Sequence, residues 1–133
     1  MTQKSDIGNL GEDISCLYLK DAGFKVLYRN YRQKWGEIDV IAKAKDKTLV
    51  FIEVKTMVTN LKLGLVPEDQ MTSAKLRKFK RTAQLFAGFN EKLIDENKGW
   101  RLDVLSILLP DEYYLSNLTQ LYKSCVIKHY ENI

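Results

Sequence analysis

An α/β fold, a mixed sheet with helices packed on its faces, is what the sequence predicts, and three features predict it. Apolar residues recur at helical spacing over residues 6–22 and 72–88, runs rich in Val, Ile and Phe lie between and after these segments, and turn-forming residues separate them. The resulting order is a helix, three strands, a second helix, a strand and a weaker last strand. Size and composition allow such a fold. The chain has 133 residues, 45% hydrophobic and 29% charged, which suits a single globular domain with its own core.

The first helix, over residues 6–22, carries Ile7, Leu10, Ile14, Leu17 and Tyr18 at spacings of three and four, with Gly23 at its C-cap. Gly8 and Gly11 each cost such a helix about 1 kcal/mol against alanine, so this turn either approaches another element closely or frays. A short strand at residues 25–28 leads into a polar, basic and aromatic connector over 29–36. Residues 37–44 and 48–55 read as a hairpin about the turn Lys45-Asp46-Lys47. Residues 56–71 have no period and read as a long loop, a class of segment that is usually functional or mobile. Thr72 or Ser73 caps the second helix, which runs to Gly88 with Leu76, Phe79, Ala83 and Phe86 as its apolar stripe. A strand follows at 100–109, residues 111–123 carry no decisive pattern, and 125–130 read as a final strand. Pro67 and Pro110 fall where regular elements have ended, and no repeat or linker divides the chain.

Several function classes are excluded at this level. No segment approaches the roughly 18 apolar residues of a membrane span, and the polar residues 1–11 lack a signal-peptide layout, so a cytoplasmic protein with no membrane partner is expected. Cys16 and Cys125 have neither C-x-x-C spacing nor neighbouring histidines and read as buried or incidental thiols, not a zinc site or a disulfide framework. The net charge of +4 is unevenly spread. Residues 72–90 hold five bases, Lys75, Arg77, Lys78, Lys80 and Arg81, and no acid, which leaves −1 for the remainder. Such a patch points either to an anionic partner, most often a polyphosphate, or to a solvated helix face.

Wound at 100° per residue, the second helix turns its apolar stripe to the sheet and fans Lys75, Arg77, Lys78 and Arg81 over the exposed side, with Lys80 near the boundary. A face of this kind contacts phosphates without reading bases. Arg29, Arg32 and Lys34 add charge to the connector. Its aromatics, Tyr31 and Trp35, either pack in the core or stack on an unpaired base.

Side chains two apart share a face of a strand. Glu37, Asp39 and Ile41 therefore face one way and Ile38, Val40 and Ala42 the other, while Leu49, Phe51, Glu53 and Lys55 oppose Val50, Ile52 and Val54. A turn centred on Asp46 sets Asp39 across from Glu53 and Glu37 across from Lys55, with Cβ atoms about 4.5–5.5 Å apart. Facing carboxylates repel, and a purely structural sheet avoids the pair unless something such as a divalent cation neutralises it. A bare Glu-x-Lys arises by chance in about half of chains this long, so the signal lies in the set: an acid on the preceding strand, apolar strands on both sides and a basic helix after them. A solvated hairpin face with simple ion pairs is the plainer alternative. Arg101 and Asp103 share a strand face and read as a structural ion pair. His129, alone of its kind, receives no role.

Gly11-Glu12, Arg29-Asn30-Tyr31-Arg32, Gly36-Glu37-Ile38-Asp39, Phe51-Ile52-Glu53-Val54-Lys55, Thr72 with Lys75, and Arg101-Leu102-Asp103-Val104 follow the order of motifs in the YraN-like family, which this chain resembles along nearly its whole length. That family resembles a branch of the PD-(D/E)XK nuclease superfamily, near the archaeal Holliday junction resolvases. The resemblance implies a restriction endonuclease-like αβββαβ core and a metal-dependent endonuclease acting on nucleic acid, DNA before RNA and branched or structured DNA in particular. It implies roles as well. Asp39, Glu53 and the backbone carbonyl of Val54 would hold magnesium or manganese, and Lys55 would position or polarise the attacking water. Glu12 matches an acid that approaches the metal in resolvase-like enzymes, or else it is an exposed helix-start glutamate. Glu37 would be a further acid beside the site or a partner for Lys55. Related resolvases act as dimers, and a homodimer would suit a branched substrate. Two departures stand out: Ile38 replaces the proline of the superfamily name, and Met57 and Val58 stand where the family often has an arginine. The alternative is a nucleic-acid binding module with this fold and little or no turnover.

Overall fold

The computed structural model describes residues 3–59 and 64–133. Helix α1 (Gln3–Asp21) precedes strands β1 (Lys25–Gln33), β2 (Gly36–Lys43) and β3 (Leu49–Val58); α2 (Ser73–Phe89), β4 (Trp100–Leu109), α3 (Leu118–Ser124) and β5 (Val126–Tyr130) follow. Short 3-10 turns lie at Pro67–Gln70, Glu91–Leu93 and Tyr113–Leu115. The strands stand side by side in chain order, with β3 and β4 parallel and the other neighbours antiparallel. A parallel pair needs a crossover, and α2 supplies it. The expected restriction endonuclease-like αβββαβ order is therefore present, extended by α3 and β5.

Both faces of the sheet are covered. Ile41, Leu49, Phe51 and Leu102 pack beneath Phe79, Ala83 and Phe86 of α2, while Val40, Ala42, Val50, Ile52 and Leu105 pack with Leu19 of α1. Ile14 joins Ile107, Leu109 and Leu121, which brings α1 against α3. Phe51 is fully buried and meets Phe86 and Trp100 edge-on at centroid distances of 5.6 and 5.4 Å. Removing so large a ring leaves a cavity, and Phe51→Ala is expected to cost about 3–5 kcal/mol of stability by urea unfolding.

Several boundaries differ from expectation for identifiable reasons. β1 runs through most of the supposed connector, because Arg29, Tyr31 and Arg32 pair with Val40, Ile38 and Glu37. An edge strand tolerates such charged residues and so lacks the alternation of a half-buried one. β3 continues to Val58 because Thr56, Met57 and Val58 pair with Ile107, Leu108 and Leu109. The supposed loop therefore begins later, and its residues 60–63 lie outside the described ones. The undecided segment contains α3, seven residues stabilised by a reciprocal cap between Asn117 and Gln120 and not by a long apolar stripe. Thr72 accepts the Lys75 N–H at 3.2 Å, so the pair noted in the sequence is the start of α2. Cys16 and Cys125 are free, half-buried thiols, and burial pushes both upward in pKa. Among the described residues, no helix is long and apolar enough to cross a membrane.

Of the two glycines flagged in α1, only Gly11 makes a close approach. A Cβ there would fall 1.8 Å from Thr56 Oγ1 and 2.8 Å from Thr56 Cβ, so turning the threonine would not relieve it, whereas a Cβ at Gly8 meets nothing. The missing side chain at position 11 lets α1 lie against β3, with Glu12 next in line.

Candidate active site

The β2–β3 register follows the turn as expected: Lys43 pairs with Leu49, Ala42 with Val50, Ile41 with Phe51 and Val40 with Ile52. One step further would set Asp39 across from Glu53, but the backbone ladder stops at Val40. Alternation stops there too. Ile38 packs with Ile41 beneath α2 although Val40 and Ala42 pack on the opposite face, so the expected grouping of Ile38 with those two residues is incorrect. The strands separate at this level, and Asp39 Oδ2 instead accepts the Val54 N–H at 2.8 Å. Across from Asp39, Asn30 of β1 has φ 53, a left-handed conformation that asparagine adopts more readily than most residues. Its neighbours Arg29 and Tyr31 remain paired to β2 while Asn30 and Asp39 do not. Both strands are thus irregular beside the acids, at a cost on the order of 1–3 kcal/mol for such a backbone.

The separation opens a cavity of about 550 Å³ whose walls include Glu12 of α1, Glu37 and Asp39 of β2, Glu53 and Lys55 of β3, and Gln70 beyond β3. A second hollow of about 260 Å³ links Glu37, Glu53 and Lys55 to Lys75 and Lys78 of α2. Lys55 Nζ lies 3.8 Å from Glu53 Oε2, with both side chains less than one-fifth exposed. That distance gives an electrostatic contact and not a hydrogen bond. The Gln70 turn is held in place by Glu68, which accepts hydrogen bonds from Ser106 at 2.8 Å and from Tyr130 and lies 3.5 Å from Lys128 Nζ. Burial alone would raise the Glu68 carboxyl, but these partners hold it down at about 2.

The acids are short of positive charge. Burial first, then a hydrogen bond with Asp39 and the charge of that carboxylate, push Glu53 up to about 9 against the opposing pull of Lys55. Glu12 is also raised, by burial and then by Asp39, with Arg29, Asn30 and Arg32 opposing. Its Oε1 is buried and has no hydrogen-bond partner among the described residues. At neutral pH, Glu53 therefore keeps its proton beside Asp39, at a place where a cation would serve both side chains. The donor set fits magnesium, which takes one or two carboxylates and keeps several waters. Asp39, Glu53 and the Val54 carbonyl would hold it. Among the described residues no three His, Cys, Asp or Glu side chains converge into a ready-made metal cage, so the fit rests on two carboxylates, with Glu12 and Glu37 on the cavity wall.

Other expected site residues are engaged elsewhere. Glu37 does not pair with Lys55; it faces Arg32 at 3.4 Å, because those two are register partners across β1 and β2. Arg29 donates to Asp13 of α1 at 2.7 Å. The five bases of α2 are all exposed, and none forms an ion pair among the described residues. Tyr31 packs edge-on against Phe86 at 5.1 Å and belongs with the core.

Arg101 and Asp103 form the expected ion pair, with Nε 3.0 Å from Oδ1, and the carboxylate is fully buried. His129, which was given no role, completes it. His129 Nε2 lies 2.7 Å from Asp103 Oδ2, and the Tyr18 hydroxyl lies 2.9 Å from His129 Nδ1. Burial would raise Asp103, but hydrogen bonds from His129, Arg101 and the Asn132 N–H hold it below its ordinary value. One signal pointed here: an acid in a strand as apolar as β4 requires buried partners.

The model of the family described as "Uncharacterised protein family UPF0102" matches residues 11–107. A UPF0102 protein of Caldicellulosiruptor saccharolyticus is 39% identical over 106 residues, which cover 80% of this chain and 85% of the relative. A UPF0102 protein of Clostridium botulinum strain Loch Maree is 41% identical over 107 residues, covering 78% of this chain and 80% of the relative. The matched stretch takes in every acid of the cavity and all five bases of α2.

Proposed function

The chain belongs to the UPF0102 family, and from that premise and its cavity we propose that it is a metal-dependent nuclease of the PD-(D/E)XK kind, hydrolysing phosphodiester bonds in nucleic acid, DNA before RNA. One observation carries the reading. Asp39, Glu53 and Lys55 line a single cavity at the point where β2 and β3 separate. When bound, magnesium or manganese supplies a Lewis acid for the phosphoryl oxygen and lowers the pKa of a water.

The residues divide the remaining work. Asp39, fixed by the Val54 N–H, and Glu53, once it gives up its proton, offer two carboxylates at one place. Lys55 sits within reach of Glu53 and supplies a cation to orient the attacking water and neutralise charge developing on the phosphate. Glu12 lines the same cavity, and its carboxylate would accept a hydrogen bond from that water after a turn of the side chain frees its buried oxygen. Lys75 and Lys78 border the adjoining hollow and carry the backbone towards the acids, while Arg77, Lys80 and Arg81 extend the positive face along α2.

Assaying branched, single-stranded and duplex DNA with and without magnesium tests turnover. Cutting that requires the metal and fails with Asp39→Asn or Lys55→Ala supports the reading; no cutting of any substrate refutes it. Binding without turnover is the second reading, favoured by the convergence of only two carboxylates. Phosphate contact has its own measurement. Replacing Arg77, Lys78 and Arg81 with glutamine is expected to weaken duplex binding and to flatten the plot of log K against log salt by about 2.7, close to one counterion for each lost base.

A further inference from the structure

Away from the acids, the last turn of α2 and the β1–β2 hairpin enclose a slot of about 400 Å³. Its floor is Phe86, its sides are Tyr28, Trp35 and Phe89, and its edges carry the amides of Gln33 and Asn90. Phe89 is 74% exposed, Tyr28 47% and Trp35 37%. Large rings so placed lie largely outside the core, although Tyr28 meets Phe86 edge-on at 5.8 Å, and they stand together. Trp35 and Phe89 face one another at a centroid distance of 6.2 Å with their planes 37° apart. A flat ring held between two others needs roughly 7–8 Å, two stacking contacts of 3.5–4.0 Å. The pair is about 1 Å short of that, and Phe89 has solvent on its outer side into which it can swing.

We propose that this slot receives one unpaired nucleobase of the nucleic acid whose backbone runs along α2. The inference rests on the nucleic-acid reading above and adds to it a preference for substrates with a base outside the stack. Three observations favour this occupant. Aromatic faces stack on any base, and the side-chain amides offer donors and acceptors for its edge. Among the described residues no acid lines the slot and the five exposed cations of the same helix form no ion pair, so a polyanion is drawn past it. A second copy of the chain fits less well, because a two-fold contact sets the same patch against itself and would bring the α2 bases face to face. Phe89 lies 11 residues beyond Lys78, about 16 Å along the helix at 1.5 Å per residue. At the 3.4 Å spacing of stacked nucleotides, the held base stands roughly five steps from the phosphate that Lys78 would contact.

The test uses the whole chain without divalent ions, in a Trp100→Phe background that leaves Trp35 as the only tryptophan. A short oligothymidylate is expected to quench Trp35 fluorescence, and the same backbone without bases is not. Phe89→Ala and Trp35→Ala should weaken single-strand binding about 5- to 150-fold and leave binding of a fully paired duplex unchanged, and Phe89→Tyr should restore the strand affinity. Phe89 is exposed enough for these variants to fold, which circular dichroism verifies. Equal quenching by the baseless strand, or equal strand affinity in Phe89→Ala, overturns the slot while leaving salt-dependent duplex binding, and hence the nuclease reading, intact. Absence of binding to strand and duplex alike removes both. A dimer that Phe89→Ala dissolves with no change in strand affinity assigns the patch to self-association and also overturns the proposal.

Discussion

Glu53→Gln is expected to lower magnesium-dependent hydrolysis by at least about a hundredfold while raising the melting temperature of the metal-free protein by roughly 3–10 °C. The two effects have one origin. Burial and the neighbouring Asp39 raise the Glu53 carboxyl to about 9, so charging it at neutral pH works against the fold. The folded-state pKa lies above the unfolded one, and the protonated carboxyl is the form the fold favours. That stability is complete below about pH 4.3 and is lost as the pH climbs towards about 9. Metal-free wild type should therefore lose stability across this window at up to about 1.4 kcal/mol per pH unit. Glutamine removes the titration, and at pH 7 the variant gains about 1–3 kcal/mol. Urea unfolding at a series of pH values reads the difference. Parallel profiles for the two proteins would mean that the carboxyl titrates normally and the acids do not meet.

Magnesium and manganese affinity should rise close to tenfold for each pH unit between the ordinary glutamate range and about 9, because the ion takes the place of one proton. The sign follows from the same shift: metal binds the charged carboxylates, and the raised pKa keeps that form scarce until the pH increases. Calorimetric titration in buffers of different ionisation enthalpy counts the proton released. Asp39→Asn should bind poorly at every pH, since it removes one of two carboxylate ligands. An affinity independent of pH, with no proton released, would rule out the raised Glu53 carboxyl and with it the electrostatic case for a cation between Asp39 and Glu53.

Much of this arrangement was readable from the chain alone, and the parts that were not have physical reasons. The hairpin register was legible because a short turn about Asp46 sets which residues can face one another. Its break at Asp39 was not, because period-two reasoning assumes an unbroken ladder and β2 leaves β3 there. The face of α2 was legible because a helix covered on one side separates apolar from charged residues. β1 is legible only over its first residues because its second half is polar and largely exposed, and α3 carries no readable pattern because its stability comes from a cap. The roles of Glu37 and Arg29 turned on which neighbour each could reach, Arg32 and Asp13, and that depends on tertiary placement. A solitary histidine such as His129 carries no signal of its own, because its value lies in what Asp103 requires.

The Tyr18–His129–Asp103 chain ties α1 to β5 across 111 positions of sequence, and α1 is the element that carries Glu12 to the cavity. The cavity acids of β2 and β3 are in this way joined to a strut that runs from α1 to β5. Shortening the polypeptide after β4 would thus do more than shave an edge from the sheet. It would remove one tie of α1 beyond the packing of Ile14 and Leu19 and loosen the wall that carries Glu12, so β5 acts as a fastening.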